Sequence, residues 1–177
     1  MDILVKTPIP FPIEDVFLAM QDHLPKLAQY MPNIERVTVL ERQHIDQNRV
    51  YLVNKWQAAA TEIPTIARPF VQSDKTYWID RATWNSSVKE AKWALEMGFM
   101  PDRVQCSGTT SYHRIDDNTT QMRVQGNISL NLKGLVPRLL LKKATAGCEK
   151  YVRTLVQPNF QKTADALTAY LKAQGHS

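Results

Sequence analysis

The chain has 177 residues, of which 44% are hydrophobic and 22% are charged, and these values fit one globular domain with a sizeable core. The net charge of +5 is moderate, and basic residues are mixed with acidic ones along the chain, so we expect no nucleic-acid partner. Cys106 and Cys148 lie far apart, which excludes a zinc ribbon and a CxxC redox pair and leaves a single disulfide or two reduced core cysteines.

The first predicted elements are a strand and two short helices. Apolar and polar residues alternate over 2–10, and prolines end the run, which predicts a strand. Between 13 and 31 the apolar residues recur at helical intervals, but Pro25 interrupts them. We therefore expect two short helices that meet near His23.

A succession of strands follows. Segments rich in β-branched and aromatic residues, each separated from the next by a turn signal, cover 34–43, 48–58, 75–85, 88–98, 102–114 and 118–132. Their short connections predict an antiparallel meander, to which the first strand can be added. The segment 59–74 contains two prolines and is too long for a hairpin, so it is either a lid over an opening or a kinked edge strand.

The last predicted element is a long helix over 134–174. Apolar residues recur at three- or four-residue steps on both sides of Pro158, and no capping residue precedes that proline. The pattern favours one kinked helix over two separate helices. At the start of this segment, 136–147 contains three leucines between Arg138 and a lysine pair. Such a segment is either a site of transient contact with an anionic membrane surface or an ordinary helix start on the core.

The order of these elements resembles that of the START-like, or SRPBCC, superfamily, which includes lipid-transfer START domains, polyketide cyclases and Coq10-like coenzyme Q-binding proteins. The resemblance rests on the opening segment ILVKTPIPFPIEDVFLAMQDHLPKLAQYMPNIERVTVLER and the closing segment GLVPRLLLKKATAGCEKYVRTLVQPNFQKTADALTAYLKAQ. The closing segment is most similar to bacterial members of unknown function. The resemblance implies a single α+β domain over 1–177 with the helix-grip, Bet v 1-like fold. In this fold a curved antiparallel sheet of about seven strands wraps around the last helix and encloses a cavity for an apolar ligand.

Alternation within the strands predicts which side chains face that cavity. In the segments 102–114 and 118–132, one set of alternate residues is mostly apolar and the other mostly polar, as a sheet with one buried face requires. Gly108 and Gly126 fall in the inward sets. They open space or let the strands bend, as a strongly curved sheet needs, or they mark simple bulges without a cavity.

Large aromatic residues are the main candidates for ligand contact. Each of the four tryptophans lies within a predicted strand, where it either lines an apolar pocket or fills the core. The polar residues Asn54 and Asp80 share strand faces with tryptophans, so they either orient a ligand head group or lie exposed at a sheet edge. The predicted ligand-binding residues are Trp56, Trp78, Asp80, Trp93, Leu95, Cys106, Gly108, Tyr112, Val124, Gly126, Cys148, Val152, Leu155 and Phe160.

Catalytic motifs are not apparent in the sequence. The histidines do not occur at metal-ligand spacing, and there is no GxSxG, HExxH or glycine-rich phosphate loop. By analogy with polyketide cyclases, Asp80 with Tyr112 or Arg81 is the candidate polar pair. We expect a cytoplasmic protein without metal or cofactor that binds or carries a lipid- or isoprenoid-like molecule. The alternatives are a cyclase- or hydrolase-type enzyme and a module that binds a protein partner in the same groove. A wide open groove with Phe70 and Leu140 exposed would favour the partner-binding module.

Overall fold

The protein is described here from a computed structural model, which describes residues 2–59, 76–98, 101–131, 133–134, 137–139, 142, 146 and 160–175. Its strands are β1 (Asp2–Ile9), β2 (Ile34–His44), β3 (Arg49–Ala58), β4 (Tyr77–Asn85), β5 (Glu90–Met97), β6 (Val104–Asp116) and β7 (Thr119–Leu130). Its helices are α1 (Ile13–Asp22), α2 (Leu24–Leu27) and α3 (160–173), and a short 3-10 turn (Ala28–Tyr30) follows α2.

The strands form one curved, open, antiparallel sheet. Their order is β1-β7-β6-β5-β4-β3-β2, so every strand from β2 to β6 pairs with its successor in the chain and β1 pairs with β7. This arrangement confirms the predicted meander and the predicted position of the first strand. The two short helices are also confirmed, and His23 is the residue between them.

One face of the sheet is buried and the other is in solvent. Along β1 the side chains alternate strictly, with Ile3, Val5 and Ile9 buried and Leu4 and Lys6 exposed. The inner face packs against α1, α2 and α3, because residues of all three helices belong to the same hydrophobic core as the sheet. Burial of this shared core is the main favourable contribution to folding.

Polar contacts fix the short helices against their neighbours. The hydroxyl of Tyr170 in α3 lies 2.9 Å from Nδ1 of His23, and the two rings meet edge to face with centroids 5.8 Å apart. Near the end of α1, Asp22 pairs with Arg42 of β2 at 2.8 Å. These contacts hold the α1–α2 junction between the last helix and the edge strand.

The turn between β4 and β5 anchors the start of α1. Lys89 has a left-handed backbone with φ of 52°, a conformation that costs energy in a residue other than glycine. Its ammonium group lies 2.7 Å from the carboxylate of Glu14 and 4.9 Å from the ring centroid of Phe17. The salt bridge and the ring contact compensate for the strained turn.

The predicted C-terminal helix differs at its start. Residues 134 and 137–139 are not helical, whereas residues 142 and 146 are, so the predicted start at 134 was too early. Gly134 has a positive φ of 80°, which a right-handed helix does not allow. Pro158, and with it the predicted kink, lies outside the described residues, as do residues 60–75 of the predicted lid and its surroundings.

Candidate functional site

The strand register brings the predicted ligand-binding residues of the sheet to its inner face. Residues directly opposite each other in antiparallel strands point to the same side. One such row runs from Asn54 through Asp80, Leu95 and Cys106 to Ile128. The two adjoining rows on the same face contain Trp56, Trp78, Trp93, Gly108 and Gly126, and rows further toward α1 contain Val124 and Tyr112.

Burial changes along this inner face. Close to α1, the row that contains Trp84 and Val124 is closed, with 4% and 1% of these residues exposed. At the other end, the row that contains Trp56, Trp78 and Met97 is only partly buried. The inner face therefore has a sealed core at one end and a partly accessible apolar surface at the other. We refer to this partly accessible end, from the row of Asp80 to the row of Trp78, as the open end.

Trp93 separates the two ends. It lies opposite Gly108, which in turn lies opposite Gly126. A Cβ atom on Gly108 would come within 2.6 Å of the Trp93 ring, and one on Gly126 would come within 2.9 Å of it. The glycines therefore provide the surface on which the indole lies, and its N–H donates a 3.0 Å hydrogen bond to Thr110. The expectation that they leave open space was wrong at this point, and no register shift marks a bulge at either glycine.

Several polar groups on the inner face are buried without a hydrogen-bond partner in the described part of the chain. Both amide atoms of Asn54 are unpartnered although the residue is 0% exposed. The same is true of Oδ1 of Asp80, the hydroxyl of Tyr112 and the indole nitrogens of Trp56 and Trp84. Buried polar groups in native proteins are nearly always paired, and leaving one unpaired costs about 1–3 kcal/mol. At the open end the unpartnered residues are Asn54, Asp80 and Trp56, which we call the inner polar cluster, and this is where a bound molecule or water is needed.

Asp80 is the electrostatic centre of the inner polar cluster. Desolvation raises the pKa of its carboxyl from 3.8 to about 7, and the indole N–H of Trp56, which points toward it without forming a hydrogen bond of standard geometry, opposes this effect. A raised pKa of this kind is expected for a carboxylate that has lost water and gained no counter-ion. Near neutral pH the group can both accept and give up a proton.

Three aromatic rings pack together at the sealed end of the inner face. Phe17 of α1 meets Trp84 and Tyr112 edge to face, with ring centroids 5.5 Å and 5.7 Å away. Burial raises the pKa of the Tyr112 hydroxyl, and the negative charge of Asp80 raises it further. Tyr112 is therefore a neutral hydrogen-bond donor.

A second aromatic pair lies at the open end. Trp56 and Trp78 are opposite each other in β3 and β4, and their rings stack with centroids 5.7 Å apart and planes 12° from parallel. Both residues are partly exposed. Stacked rings that keep accessible surface present a flat, apolar platform to anything that enters.

The predicted polar pairs have different outcomes. Asp80 and Tyr112 share the inner face and interact electrostatically. Arg81 does not join them, because successive side chains of a strand point to opposite faces. Its guanidinium lies on the outer face, 3.5 Å from Glu96. The suggested pairing of Asp80 with Arg81 was therefore wrong.

Two of the unpartnered residues, Asn54 and Trp84, are missing from the set of ligand-binding residues predicted from the sequence. Asn54 was considered as a residue that either orients a ligand head group or lies exposed at a sheet edge, and Trp84 as a tryptophan that either lines a pocket or fills the core. A signal was present for Trp84, since it follows Asp80 by four positions in β4 and therefore faces the same side. For Asn54 the decisive fact is its position opposite Asp80, which depends on the register between two strands.

The remaining predicted residues are only partly described. Cys148, Val152 and Leu155 lie outside the described residues, whereas Phe160 begins the described part of α3 and packs partly buried against the core. Cys106 is free and buried, and burial raises the pKa of its thiol to about 11. In the described ranges, no group of His, Cys, Asp and Glu could hold a metal ion. None of the helices in these ranges is long and apolar enough to cross a membrane.

Comparison with known proteins identifies the fold. No protein-family model and no curated protein matches the sequence. Among solved structures, a protein from Thermus thermophilus is 18% identical, with a TM-score of 0.69 and coverage of 98% of this chain and 99% of that chain. The Zhui aromatase/cyclase from a Streptomyces species is 16% identical, with a TM-score of 0.68 and coverage of 100% and 96%.

A START superfamily protein from Mycobacterium smegmatis is also similar, at 15% identity and a TM-score of 0.54, with 98% of each chain covered. At these identities the likeness concerns the fold. The sheet order, the two short helices after β1 and the packing of α3 on the inner face agree with it. The chain therefore has the helix-grip fold of START/SRPBCC-like proteins.

Proposed function

We propose that this protein binds a hydrophobic small molecule carrying at least one polar group, at the open end of the inner sheet face. The observation that carries the proposal is the inner polar cluster, whose buried atoms have no hydrogen-bond partner in the described residues. A ligand with a polar group would satisfy these atoms and recover part of the free energy that their desolvation costs. A lipid- or isoprenoid-like molecule meets this requirement if its head group is polar.

The partly buried residues beside the cluster account for the apolar part of the ligand. Leu95 lies directly opposite Asp80, and Met97 lies opposite Trp78. Together with the stacked indoles of Trp56 and Trp78, they combine an apolar surface with a few polar groups, the usual composition of a small-molecule site. The similarity in fold to a START superfamily protein and to an aromatase/cyclase supports the same proposal.

Binding of a neutral apolar dye provides the test. Diphenylhexatriene fluoresces strongly only in an apolar environment, so titration of the protein with this dye should give saturable fluorescence. Met97→Arg should abolish it, because the variant places a charge on the partly buried inner face. Leu4→Arg is the matched control, since Leu4 is 59% exposed on the outer face.

The dye titration of each variant is interpreted together with its thermal unfolding. Both arginine variants should keep a cooperative thermal transition, which separates loss of the site from loss of the fold. Dye binding that is absent from the wild type, or equal in the two variants, would refute a ligand site at the open end. If the dye does bind, native mass spectrometry of the purified protein, with extraction of any bound molecule, would identify a natural ligand.

An enzyme of the cyclase or hydrolase type is the second candidate function. It is favoured by Asp80, because a carboxyl with a pKa of about 7 is suited to general acid–base catalysis at neutral pH. Recovery of a bound molecule in chemically altered form after incubation would support an enzyme, whereas recovery unchanged would support a carrier. The protein-partner alternative relied on Phe70 and Leu140, which lie outside the described residues.

Two predictions about location have less structural support. Of the predicted membrane-contacting segment 136–147, the structure describes 137–139, 142 and 146, and Leu139 is 97% exposed. One exposed leucine is not sufficient to argue for a membrane surface. Contact with anionic membranes and a cytoplasmic location therefore stay predictions from the sequence.

A further inference from the structure

The chemical class of the ligand can be narrowed from the charges around Asp80. Its neighbours on the inner face are Asn54 and Leu95 directly across, and Trp78 and Ala82 along its own strand. The diagonal neighbours in the flanking strands are two tryptophans, a leucine and a methionine. None of these residues is basic, so the described surroundings of the carboxylate provide no counter-ion.

Basic residues that approach the inner face from the described elements already have acidic partners. A register shift in β2 turns Arg42 to the inner face opposite Leu52, but its guanidinium pairs with Asp22 at 2.8 Å. Lys89, at the sealed end, pairs with Glu14 at 2.7 Å. The site therefore has one acidic group and no described basic group to offset it, which disfavours an anionic ligand.

The acceptor atoms of the inner polar cluster fit a positively charged head group, whereas the unpartnered N–H groups of Asn54 and Trp56 need an acceptor elsewhere on the ligand. The side-chain carbonyl of Asn54, directly across from Asp80, is an unpartnered acceptor on a residue that is 0% exposed. Indole rings attract ammonium groups more strongly than other aromatic side chains do. Two of them, Trp56 in β3 and Trp78 in β4, lie in the row next to Asn54 and Asp80. A carboxylate, an amide oxygen and tryptophans form a set that recognises a desolvated ammonium group.

We infer that the ligand of this site is a hydrophobic amine. Its ammonium group pairs with the carboxylate of Asp80 and donates to the amide oxygen of Asn54, while its apolar body lies on the stacked indoles of Trp56 and Trp78. The inference rests on the proposed function, because it names the class of molecule that occupies the same open end. A ligand amine also supplies the counter-ion that Asp80 lacks among the described residues.

Three probes with one apolar body test the inference. They are 2-(2-naphthyl)ethylamine, 2-(2-naphthyl)ethanol and 2-naphthylacetate, which differ in carrying a positive, neutral or negative group. Isothermal titration calorimetry at about pH 8 keeps the amine charged and Asp80 mainly ionised. We expect the amine to bind at least about ten-fold more tightly than the alcohol, and the acetate to bind most weakly.

Variants assign the preference to Asp80. In Asp80→Asn the amine and the alcohol should bind with equal affinity, whereas Asp117→Asn should keep the preference. Asp117 provides the same chemical change at an exposed turn, where 94% of its side chain is accessible. The comparison of the three probes on the wild type does not depend on either variant, so it also decides the question if a variant folds poorly.

Each outcome separates the inference from the proposed function. Equal or tighter binding of the alcohol, or an amine preference that persists in Asp80→Asn, would overturn amine recognition. If diphenylhexatriene still binds in that case, the site for a hydrophobic molecule stands and only its chemical class is wrong. If neither the dye nor any naphthyl probe binds, both the inference and the proposed function fail.

Discussion

Replacing Asp80 with asparagine should stabilise the protein, and the gain should increase with pH. Desolvation raises the pKa of this carboxyl from 3.8 to about 7 in the folded protein. Between these two values the folded protein holds a proton that the unfolded chain has released. The free energy of unfolding of the wild type therefore falls as the pH rises through this range and becomes level above it.

The size of the effect follows from the same two values. Each pKa unit corresponds to about 1.4 kcal/mol, so the interval from 3.8 to about 7 sets an upper limit of about 4 kcal/mol. Asp80 is partly rather than fully buried, and solvent reduces the penalty. We therefore expect Asp80→Asn to gain about 2 to 4 kcal/mol relative to the wild type between acid and neutral pH.

Urea unfolding of both proteins at about pH 4.5 and about pH 8 measures this gain. The difference in free energy of unfolding between variant and wild type is the relevant quantity, because the other titrating groups cancel in it. Asp117→Asn, the same replacement at an exposed turn, should show no comparable increase. A difference between Asp80→Asn and the wild type that does not change with pH would show that the Asp80 carboxyl is not desolvated.

Other predictions concern the glycine beneath Trp93, the hydrogen bond between Tyr170 of α3 and His23, and the buried thiol of Cys106. Gly126→Ala should lower the free energy of unfolding by about 1–3 kcal/mol, because the new Cβ would lie 2.8 Å from the carbonyl oxygen of Ser107 and 2.9 Å from the indole of Trp93; an unfolding free energy equal to that of the wild type would contradict these close approaches. Tyr170→Phe should cost about 1 kcal/mol through loss of the 2.9 Å hydrogen bond to His23; in the same urea assay, a cost near zero would show that this bond does not form. With Cys148→Ser as background, iodoacetamide should modify Cys106 at least about 100-fold more slowly in the folded protein than in urea, because burial raises the pKa of its thiol to about 11; rapid modification would show that the inner face is open to solvent there.

The sequence predicts the elements of this fold well because each is specified locally. The alternation of β1, for example, is visible as Ile3, Val5 and Ile9 set against Leu4 and Lys6, and burial follows it residue by residue. Turn residues between the strands, and Pro25 in the first turn of α2, mark boundaries that depend only on neighbouring residues. The start of α3 was placed too early because apolar spacing continues through residues whose backbone, at Gly134, is left-handed.

The candidate site was less predictable because it depends on how strands are aligned. Alternation assigned Trp78 and Asp80 to one face of β4 and Trp93 to one face of β5, but it did not show that these faces coincide. The register does so by placing Asp80 opposite Leu95. A shift of one residue would have sent Asp80 to the outer face, so the sequence left exposure at a sheet edge as an equal alternative.

The position of Trp93 also depends on strand register and could not be predicted from alternation alone. Glycine at 108 and 126 is compatible with a bend, a bulge or an open space, and only the register places both glycines beneath one indole. The ring therefore covers the two glycines, where the sequence allowed open space.

The inner polar cluster is more easily explained by function than by stability. Apolar residues of similar shape at the positions of Asn54 and Asp80 would avoid the desolvation of an amide and a carboxyl, and such replacements of buried polar groups are often neutral or stabilising. Near Trp84 and Phe17 the same face is closed by aromatic packing. The position of Asn54 and Asp80 beside the partly exposed indoles of Trp56 and Trp78 is what a site for a ligand head group requires. A molecule that pairs with these groups would raise the free energy of unfolding as it binds, and an increase in melting temperature is therefore a direct way to search a compound collection for the natural ligand.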